Sequence, residues 1–399
     1  MTLLQPGSHR AAELVDDDAV VQAMLTVETA WGQALGRAGV ASAEQVRAIA
    51  AAARCTPSPP GLVAAAEAAG NPVVPLVREL RARVADPTAA ALVHRGLTSQ
   101  DVLDTALMLL AARVLERLGD DLRTTADALA AHAHRHRHTP MAGRTLTQHA
   151  VPITFGLKAA QWLTGVLDAL GIIIATRAGL PAQCGGAAGT LSLLAATVPD
   201  PLTTARGFAA SLDLADPGLP WHTRRTPVTR LGDALVTVTD ALGVIAADVA
   251  LLSRPEFGEL QEGPVAGRGG SSTMPHKRNP VLSVLIRSAA ARAPLLAAQL
   301  HLAAAQAVDE RPDGAWHTEW PSLRSLLLLV ATAANQAAEL TRDLRVHADV
   351  MRRRAQNAAA DLLAERDGPG AGDVTGYLGV AAALVDRALA RHAAVAVPA

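Results

Sequence analysis

The sequence predicts an all-α fold, on three observations. Half of its 399 residues are hydrophobic but only 2 % are aromatic, so the interior has to be built from Ala, Leu and Val. Ala and Leu are strong helix formers, whereas strand-favouring aromatic and β-branched residues are scarce outside Val and Thr. Apolar residues recur at helical spacing from the start of the chain, and five later stretches hold a helical character for more than twenty residues each.

Taken in order, 11–40 sets Val20, Met24, Val27, Trp31 and Leu35 at helical spacing, and Gly39 suits the stop. A second helix from Ala43 runs into the Pro-rich stretch TPSPPG (56–61), and NPVVP (71–75) introduces another short one. The character changes at His94. Long helices are expected over about 99–138, 153–178, 228–254, 280–308 and 321–345, far beyond the usual mean of about eleven or twelve residues. Several are apolar almost all round, as in 281–307 and 323–340. A helix apolar on every face must be buried on every face. A single layer of five helices cannot do that, so the bundle is expected to pack against copies of itself. The tail from about Val350 breaks at 367–373 before one last helix. The organisation expected is an N-terminal helical domain over 1–93, a long-helix bundle over 94–348 and a shortened C-terminal helical segment over 349–399.

A formal net charge of −1, with one Tyr and three Phe, offers no polyanion-binding surface and no set of stacking aromatics, which argues against a nucleic-acid partner. Cys55 and Cys184 are far apart, fit no metal spacing and suit a reducing compartment. The opening MTLLQPGSHR has no charged-then-apolar signal pattern, and 326–333, taken as the most apolar run, is too short to cross a bilayer. The expectation is a soluble cytoplasmic protein with no membrane partner.

On so apolar a chain the informative places are polar clusters at helix starts, and there are three. In HRGLTSQD (94–101), Thr98 and Ser99 are good N-caps and Asp101 resembles the far end of a capping box. The unpaired N–H groups of a helix start favour a carboxylate; the plainer reading is a cap with His94 in a loop. In GRTLTQHAVP (143–152), Pro152 suits a first helical turn and leaves Thr147, Gln148 and His149 in the turn before it. A His there fits a general acid or base, or an ordinary hydrogen-bonded side chain. In GRGGSSTMPHKRNP (267–280) the glycines make a mobile loop, and Asn279-Pro280 reads as N-cap and first helical position. Lys277 adds its charge just ahead of that helix, and Ser271 sits where positive potential would stabilise an alkoxide. The alternative is a flexible surface loop.

Other features carry less. HAHRHRH (132–138) has His pairs at i,i+4, but alternate residues face different sides and arginines intervene, so a solvated helix end is expected rather than a metal site. RRR (352–354) reads as a solvated face. Trp221, Trp316 and Trp320 fit either a pocket lining or packing anchors. Arg311, after Asp309-Glu310, is a candidate for a substrate carboxylate.

GSSTMPHKRNP (270–280) resembles the signature loop of the fumarase/aspartase superfamily, and the other two clusters resemble its remaining active-site segments in order and spacing. GLTSQDVLDTA (96–106), GRTLTQHAVPITFGLKAA (143–160), PWHTRRTPVTRL (220–231) and AQAVDERPDGAWHTEWPSL (305–323) look most like its 3-carboxy-cis,cis-muconate cycloisomerase branch. The resemblance covers about 15–350, with a further piece at 377–390. It implies an all-α, three-part chain whose long helices assemble in a homotetramer, each active site drawing its clusters from different subunits. It implies a small di- or tricarboxylate substrate and neither metal nor organic cofactor. By motif position Ser271 exchanges a carbon proton, and Lys277 and Asn279 hold the substrate carboxylate with Thr98, Ser99 and Gln148. His149 is general acid or electrostatic partner, and His94 is a second candidate beside the first cluster. The activity implied is lactonisation of 3-carboxy-cis,cis-muconate. The alternatives are β-elimination from a succinyl-type substrate, releasing fumarate, and a catalytically inactive scaffold. Leu146 stands where fumarases carry a His, which argues against hydration of fumarate. The tail between about Ala358 and Tyr377 is shorter than the family pattern by a helical segment.

Overall fold

A computed structural model describes residues 3–54, 59–274, 276–367 and 372–396. Cys55, the start of the Pro-rich stretch and much of the 367–373 break lie outside them. Helices dominate, as the composition requires.

The early helices are short and bounded by local chemistry. Helix α1 (Asp17–Arg37) starts where the Asp16 side chain accepts from the Ala19 amide at 2.9 Å, and Gly39 beyond its end takes φ +77°. Helix α2 (Ala43–Ala52) opens with a reciprocal Ser42–Gln45 capping box. Helices α3 (Pro59–Ala69), α4 (Val73–Arg83) and α5 (Pro87–Ala90) follow, α5 capped by Asp86 with Pro87 in its first turn. The first long helix, α6 (Ser99–Arg135), begins at the first polar cluster.

Where a helix was expected to open at Pro152, the chain makes a hairpin instead. Strands β1 (Pro140–Thr145) and β2 (Gln148–Thr154) pair antiparallel, with Ala142 opposite Pro152 and Arg144 opposite His149. Leu146 and Thr147 turn the corner with φ of +48° and +73°, the left-handed pair a two-residue hairpin needs. A register shift between Ala142 and Arg144 lies at Gly143, where a Cβ would stand 2.3 Å from the Val151 carbonyl oxygen. Pro152 is tolerated because a two-stranded ribbon has only edge strands.

Helix α7 (Phe155–Ala178) follows directly, then the short α8 (Ser192–Ala195) and α9 (Pro201–Ser211), then α10 (Thr226–Leu252). The two-residue strand β3 (Leu260–Gln261) pairs with β4 (Arg345–Val346). Between them run α11 (Val281–Ala304) and α12 (Gly314–Arg342). The helix expected over about 321–345 starts earlier, at Gly314, and Pro321 lies inside it, because buried Trp316 and Glu319 anchor the preceding turns. The tail holds α13 (Ala348–Asn357), α14 (Ala359–Leu362), α15 (Ala364–Asp367) and α16 (Ala381–Ala396).

The chain forms two compact units, and each of the five long helices gives residues to both. The first comprises Met1–Arg117, Ile174–Leu235 and Pro294–Leu329. Its core is centred on fully buried Trp31, which meets Phe208 edge-on at 5.4 Å. The second comprises Leu118–Ile173, Val236–Ala293 and Val330–Ala399, with Phe155 packed edge-on to Trp162 at 5.8 Å. Within it the hairpin's Ala142 packs on Ala355, Leu362 and Val374 of the tail.

Three helices, α7, α10 and α11, are long and apolar enough by length and composition to cross a membrane, which corrects the reading that took 326–333 as the most apolar run. Dispersed polar residues, among them Thr and Asp in α7 and α10 and Ser and Arg in α11, break their apolar runs without lowering the average much. Each leaves large apolar side chains exposed in the single chain, among them Ile172, Ile174, Val244, Val284, Leu295 and Leu302.

The histidine run is also corrected. His134 and His138 are exposed, but His132 and His136 are buried and stack at 6.3 Å against the edge of Phe155. His132 Nε2 lies 3.0 Å from the Thr341 carbonyl and His136 Nδ1 lies 3.1 Å from Thr139 Oγ1. Arg354 likewise leaves the expected solvated face, donating to the Phe257 carbonyl at 2.6 Å. Burial lowers both histidines from the ordinary value of 6.5, and His136, repelled also by His132 and Arg135, falls to about 4. A base whose folded-state pKa is depressed stabilises the fold fully above 6.5, and that contribution is lost as pH falls toward 4. Over that window each pH unit costs up to about 1.4 kcal/mol for His136. Replacing His136 with Gln is expected to flatten the decline in urea midpoint between pH 6.5 and 4; equal slopes in the two proteins would refute the assignment.

Candidate active site

The first cluster is built around the opening turn of α6. Leu97 and Thr98 are buried and Ser99 is half-buried. The Asp101 carboxylate, fully buried, accepts from the Thr98 amide at 3.0 Å, which is the carboxylate half of the expected capping box. It accepts three more donors from afar: the Gly185 amide at 2.8 Å, the Gly186 amide at 2.9 Å and His222 Nε2 at 2.8 Å. A Cβ on Gly185 would lie 2.7 Å from the His222 ring, and one on Gly186 would lie 3.1 Å from the Gly96 carbonyl. The backbone at this double glycine therefore reaches the α6 entrance because it has no side chains.

One turn further along α6, Asp104 is gripped by Arg225 at 2.7 and 3.1 Å and by Trp316 Nε1 at 2.9 Å. Arg225 also meets Glu319 at 3.0 Å and lies over the Trp221 ring at 4.7 Å. Burial works against the guanidinium charge, but Asp104 and Glu319 on either side raise its pKa further above the ordinary value. Trp221 and Trp316 are thus packing anchors. Arg311 is exposed and donates to Thr98 Oγ1 and, at 3.1 Å, to the Ala187 carbonyl, so Thr98 and Arg311 do come together. His94 stands at φ +61° with Nδ1 2.6 Å from Glu28.

The second cluster lies on the hairpin of the other unit. Gln148 and His149 are exposed at the start of β2, Gln148 donating to Thr147 Oγ1 at 3.2 Å and His149 Nδ1 lying 3.2 Å from Asp361. Arg144 ties the hairpin down with a two-pronged bond to fully buried Glu259 at 2.9 and 3.3 Å, its guanidinium stacked on Phe257 at 4.9 Å.

The third cluster is a loop closed at its base. The Gly269 carbonyl accepts from both the Asn279 amide at 2.8 Å and its side-chain amide at 3.1 Å, and Gly270 bridges Arg278. Gly269 takes φ +74°, and a Cβ there would sit 2.6 Å from the Asn279 carbonyl. Inside the loop Ser271 Oγ accepts from the amides of Met274 at 3.1 Å and Thr273 at 3.3 Å. Two N–H groups aimed at one oxygen stabilise negative charge on it. Lys277 is exposed, and Pro275 lies outside the described residues.

The expected N-cap role of Asn279 is corrected. Its side chain turns back to Gly269, and the first amides of α11 are taken instead by Glu262, which accepts from Leu282 at 3.2 Å and from Ser283 at 2.7 Å. A carboxylate already occupies the helix start, so that end does not add to the potential at Lys277. A cavity of about 550 Å³ lies under the loop, lined by Glu262, Arg268, Arg278, Asn279 and His347 among others. Among the described residues no group of three or more His, Cys, Asp or Glu side chains is arranged for a metal ion. Burial, then Asp101 and Asp216, pushes the Cys184 thiol well above its ordinary value, which disfavours the thiolate.

Sequence reasoning missed the buried ties: Asp101 was read as a cap alone, and Asp104, Arg225, Glu319, Gly185, Gly186, Glu259 and Glu262 were not singled out. Their signal was available in part. Asp101 and Asp104 are acids one turn apart on an apolar helix, and His222 and Arg225 follow a proline at similar spacing.

Known proteins give this arrangement a setting. A family model described as "Lyase" matches residues 12–295. The nitrosuccinate lyase of Streptomyces davaonensis is 48% identical over 88% of this chain and 76% of its own length. The 3-carboxy-cis,cis-muconate cycloisomerase of Pseudomonas aeruginosa is 43% identical over 84% of this chain and 73% of its own. The crystal structure of the 3-carboxy-cis,cis-muconate lactonizing enzyme from Pseudomonas putida superposes with a TM-score of 0.86 at 33% identity, covering 96% of this chain and 97% of that one.

Asp101→Asn turns one acceptor into a donor facing other donors. It is expected to cost about 3 kcal/mol in urea unfolding, whereas Asp361→Asn, at an exposed pair, is expected to cost under about 1 kcal/mol. Equal effects would show that Asp101 does not organise the α6 entrance.

Proposed function

The chain belongs to the fumarase/aspartase superfamily of lyases, and from that premise we propose that it lactonises 3-carboxy-cis,cis-muconate to 4-carboxymuconolactone. The observation that carries the reading is Ser271, whose hydroxyl oxygen receives two backbone N–H groups in the closed glycine loop. A serine asked to give a proton to carbon must survive as an alkoxide, and those amides are the preorganised donors that make this affordable.

The step balances without a cofactor. A carboxylate oxygen of the substrate forms a bond to one alkene carbon, and the π electron pair moves to the neighbouring carbon beside another carboxylate. Ser271 Oγ–H gives its proton to that carbon, and solvent restores the proton on oxygen. The negative charge gathering on the substrate carboxylate is met by Lys277 and Asn279, with Thr98, Ser99, Gln148, His94 and Arg311 as further donors. A carboxylate nucleophile needs no base to activate it. His149, with Nδ1 3.2 Å from Asp361, acts electrostatically rather than as an acid.

A second reading is favoured by the 48% identity to a nitrosuccinate lyase. Nitrite, like a carboxylate, is a weakly basic oxyanion that departs without an acid. Ser271 would then work in the opposite direction: its alkoxide takes the carbon proton, the C–H pair becomes the new π bond, and the C–N pair leaves with nitrite. Loss of conjugated-diene absorbance on mixing with 3-carboxy-cis,cis-muconate is expected, falling about a thousand-fold in Ser271→Ala. No loss of absorbance, with nitrite released from nitrosuccinate, would replace the first reading by the second. Activity on neither would leave the scaffold.

The exposed apolar faces of α7, α10 and α11 are covered in this reading by copies of the chain rather than by lipid, giving a cytoplasmic homotetramer with shared sites. Light scattering on the soluble fraction should give four times the 41.1 kDa chain mass. A monomer, or protein found only with membranes, would contradict it.

A further inference from the structure

We infer that Glu28 of α1 is a positioning residue acting through His94, holding the imidazole by Nδ1 so that Nε2 is presented to a substrate carboxylate at the α6 entrance. The inference rests on reading that entrance as a carboxylate site.

Glu28 is 1% exposed, on a helix whose other inward residues are apolar. Its Oε1 lies 2.6 Å from His94 Nδ1, and among the described residues its buried Oε2 has no hydrogen-bond partner. A carboxylate in such surroundings is costly unless a positive or hydrogen-bonding partner compensates it, and here the partner is His94. An ionised carboxylate only accepts, so Nδ1 carries its proton toward Glu28. That leaves Nε2, on the opposite edge of a ring that keeps 16% exposure, as the nitrogen open to a ligand. When the ring holds a second proton, Nε2–H donates to a substrate carboxylate while Glu28 balances the charge.

The backbone is arranged to hold this orientation. His94 adopts φ +61°, a left-handed conformation that non-glycine residues rarely keep without outside support. Support comes from the same face of α1: Trp31, three residues beyond Glu28, donates Nε1–H to the Arg95 carbonyl at 2.8 Å. Gly96 follows at φ +87°, where a Cβ would meet the Trp31 ring at 3.9 Å, and the Leu97 amide returns to the His94 carbonyl at 3.3 Å. Thr98 comes next, with its amide fixed by Asp101. The turn that starts α6 is therefore pinned from α1 at the residues next to His94. A loop histidine needing only solvation would have no use for a buried carboxylate.

The test is a double-mutant cycle read by calorimetric binding of propane-1,2,3-tricarboxylate to the unmodified protein, Glu28→Gln, His94→Gln and the double variant. Each single change is expected to weaken binding about ten-fold, and the double variant to bind no more weakly than His94→Gln alone. Effects that multiply in the double variant, an unchanged affinity in Glu28→Gln, or no binding to the unmodified protein would each overturn the inference. A lower melting temperature in Glu28→Gln with unchanged binding would assign Glu28 a structural tie instead. If Glu28→Gln does not fold, Glu28→Asp, which keeps the charge but withdraws it by one methylene, goes through the same cycle. Diene loss by the unmodified protein is measured separately. Turnover with an additive cycle overturns this inference alone, and a coupled cycle without turnover overturns the lactonisation reading alone.

Discussion

A carboxylate cut off from water has to find its donors within the protein, and Asp101 finds four. They come from its own helix start, from the double glycine at 185–186 and from His222. The four donors arrive from three stretches of chain, so one side chain fixes three segments at a common point. Asp104, one turn on, does the same with Arg225 and Trp316, and through Arg225 reaches Glu319. Much of the first unit's polar interior is this pair of hubs on an apolar helix. Buried networks of this kind are worth having only when their members are satisfied together, which ties the geometry of Thr98 and Ser99 to residues far away in sequence.

The second unit solves the same problem with different parts. Glu259 holds Arg144 and so the hairpin, while Glu262 holds the first amides of α11 and so the end of the glycine loop. Two acids three residues apart in sequence secure the elements carrying His149 and Ser271. Both lie next to β3, whose short pairing with β4 fixes their backbone. The side chains of the candidate site are therefore mounted on elements that buried acids hold in place.

The long helices were legible because their signal is cumulative: a 3.6-residue period held over many turns, with composition favouring no other structure. The polar clusters were legible because they interrupt that pattern. What escaped were features decided by distant partners. Pro152 reads as a helix start until Ala142 is known to lie opposite it. Pro321 reads as a boundary until the burial of Trp316 and Glu319 is seen. Asp101 satisfies a capping rule so well that nothing in the local sequence points to three further donors. The alternation in HAHRHRH was read correctly as pointing to different faces, but which face was interior depended on Phe155. Local chemistry specified element type over most of the chain, and tertiary contacts specified what each exceptional residue was for.

The closed base of the glycine loop has a thermodynamic consequence. Gly269 and Asn279 are joined twice, so the ends of the segment between them are already together before any ligand arrives. The entropy of bringing those ends together is spent on folding, leaving only the internal torsions to be fixed on binding. Because Glu262 rather than the loop terminates α11, those torsions can change without unwinding the helix behind them. The loop and the helix start are thus held by separate groups, Gly269 with Asn279 for one and Glu262 for the other.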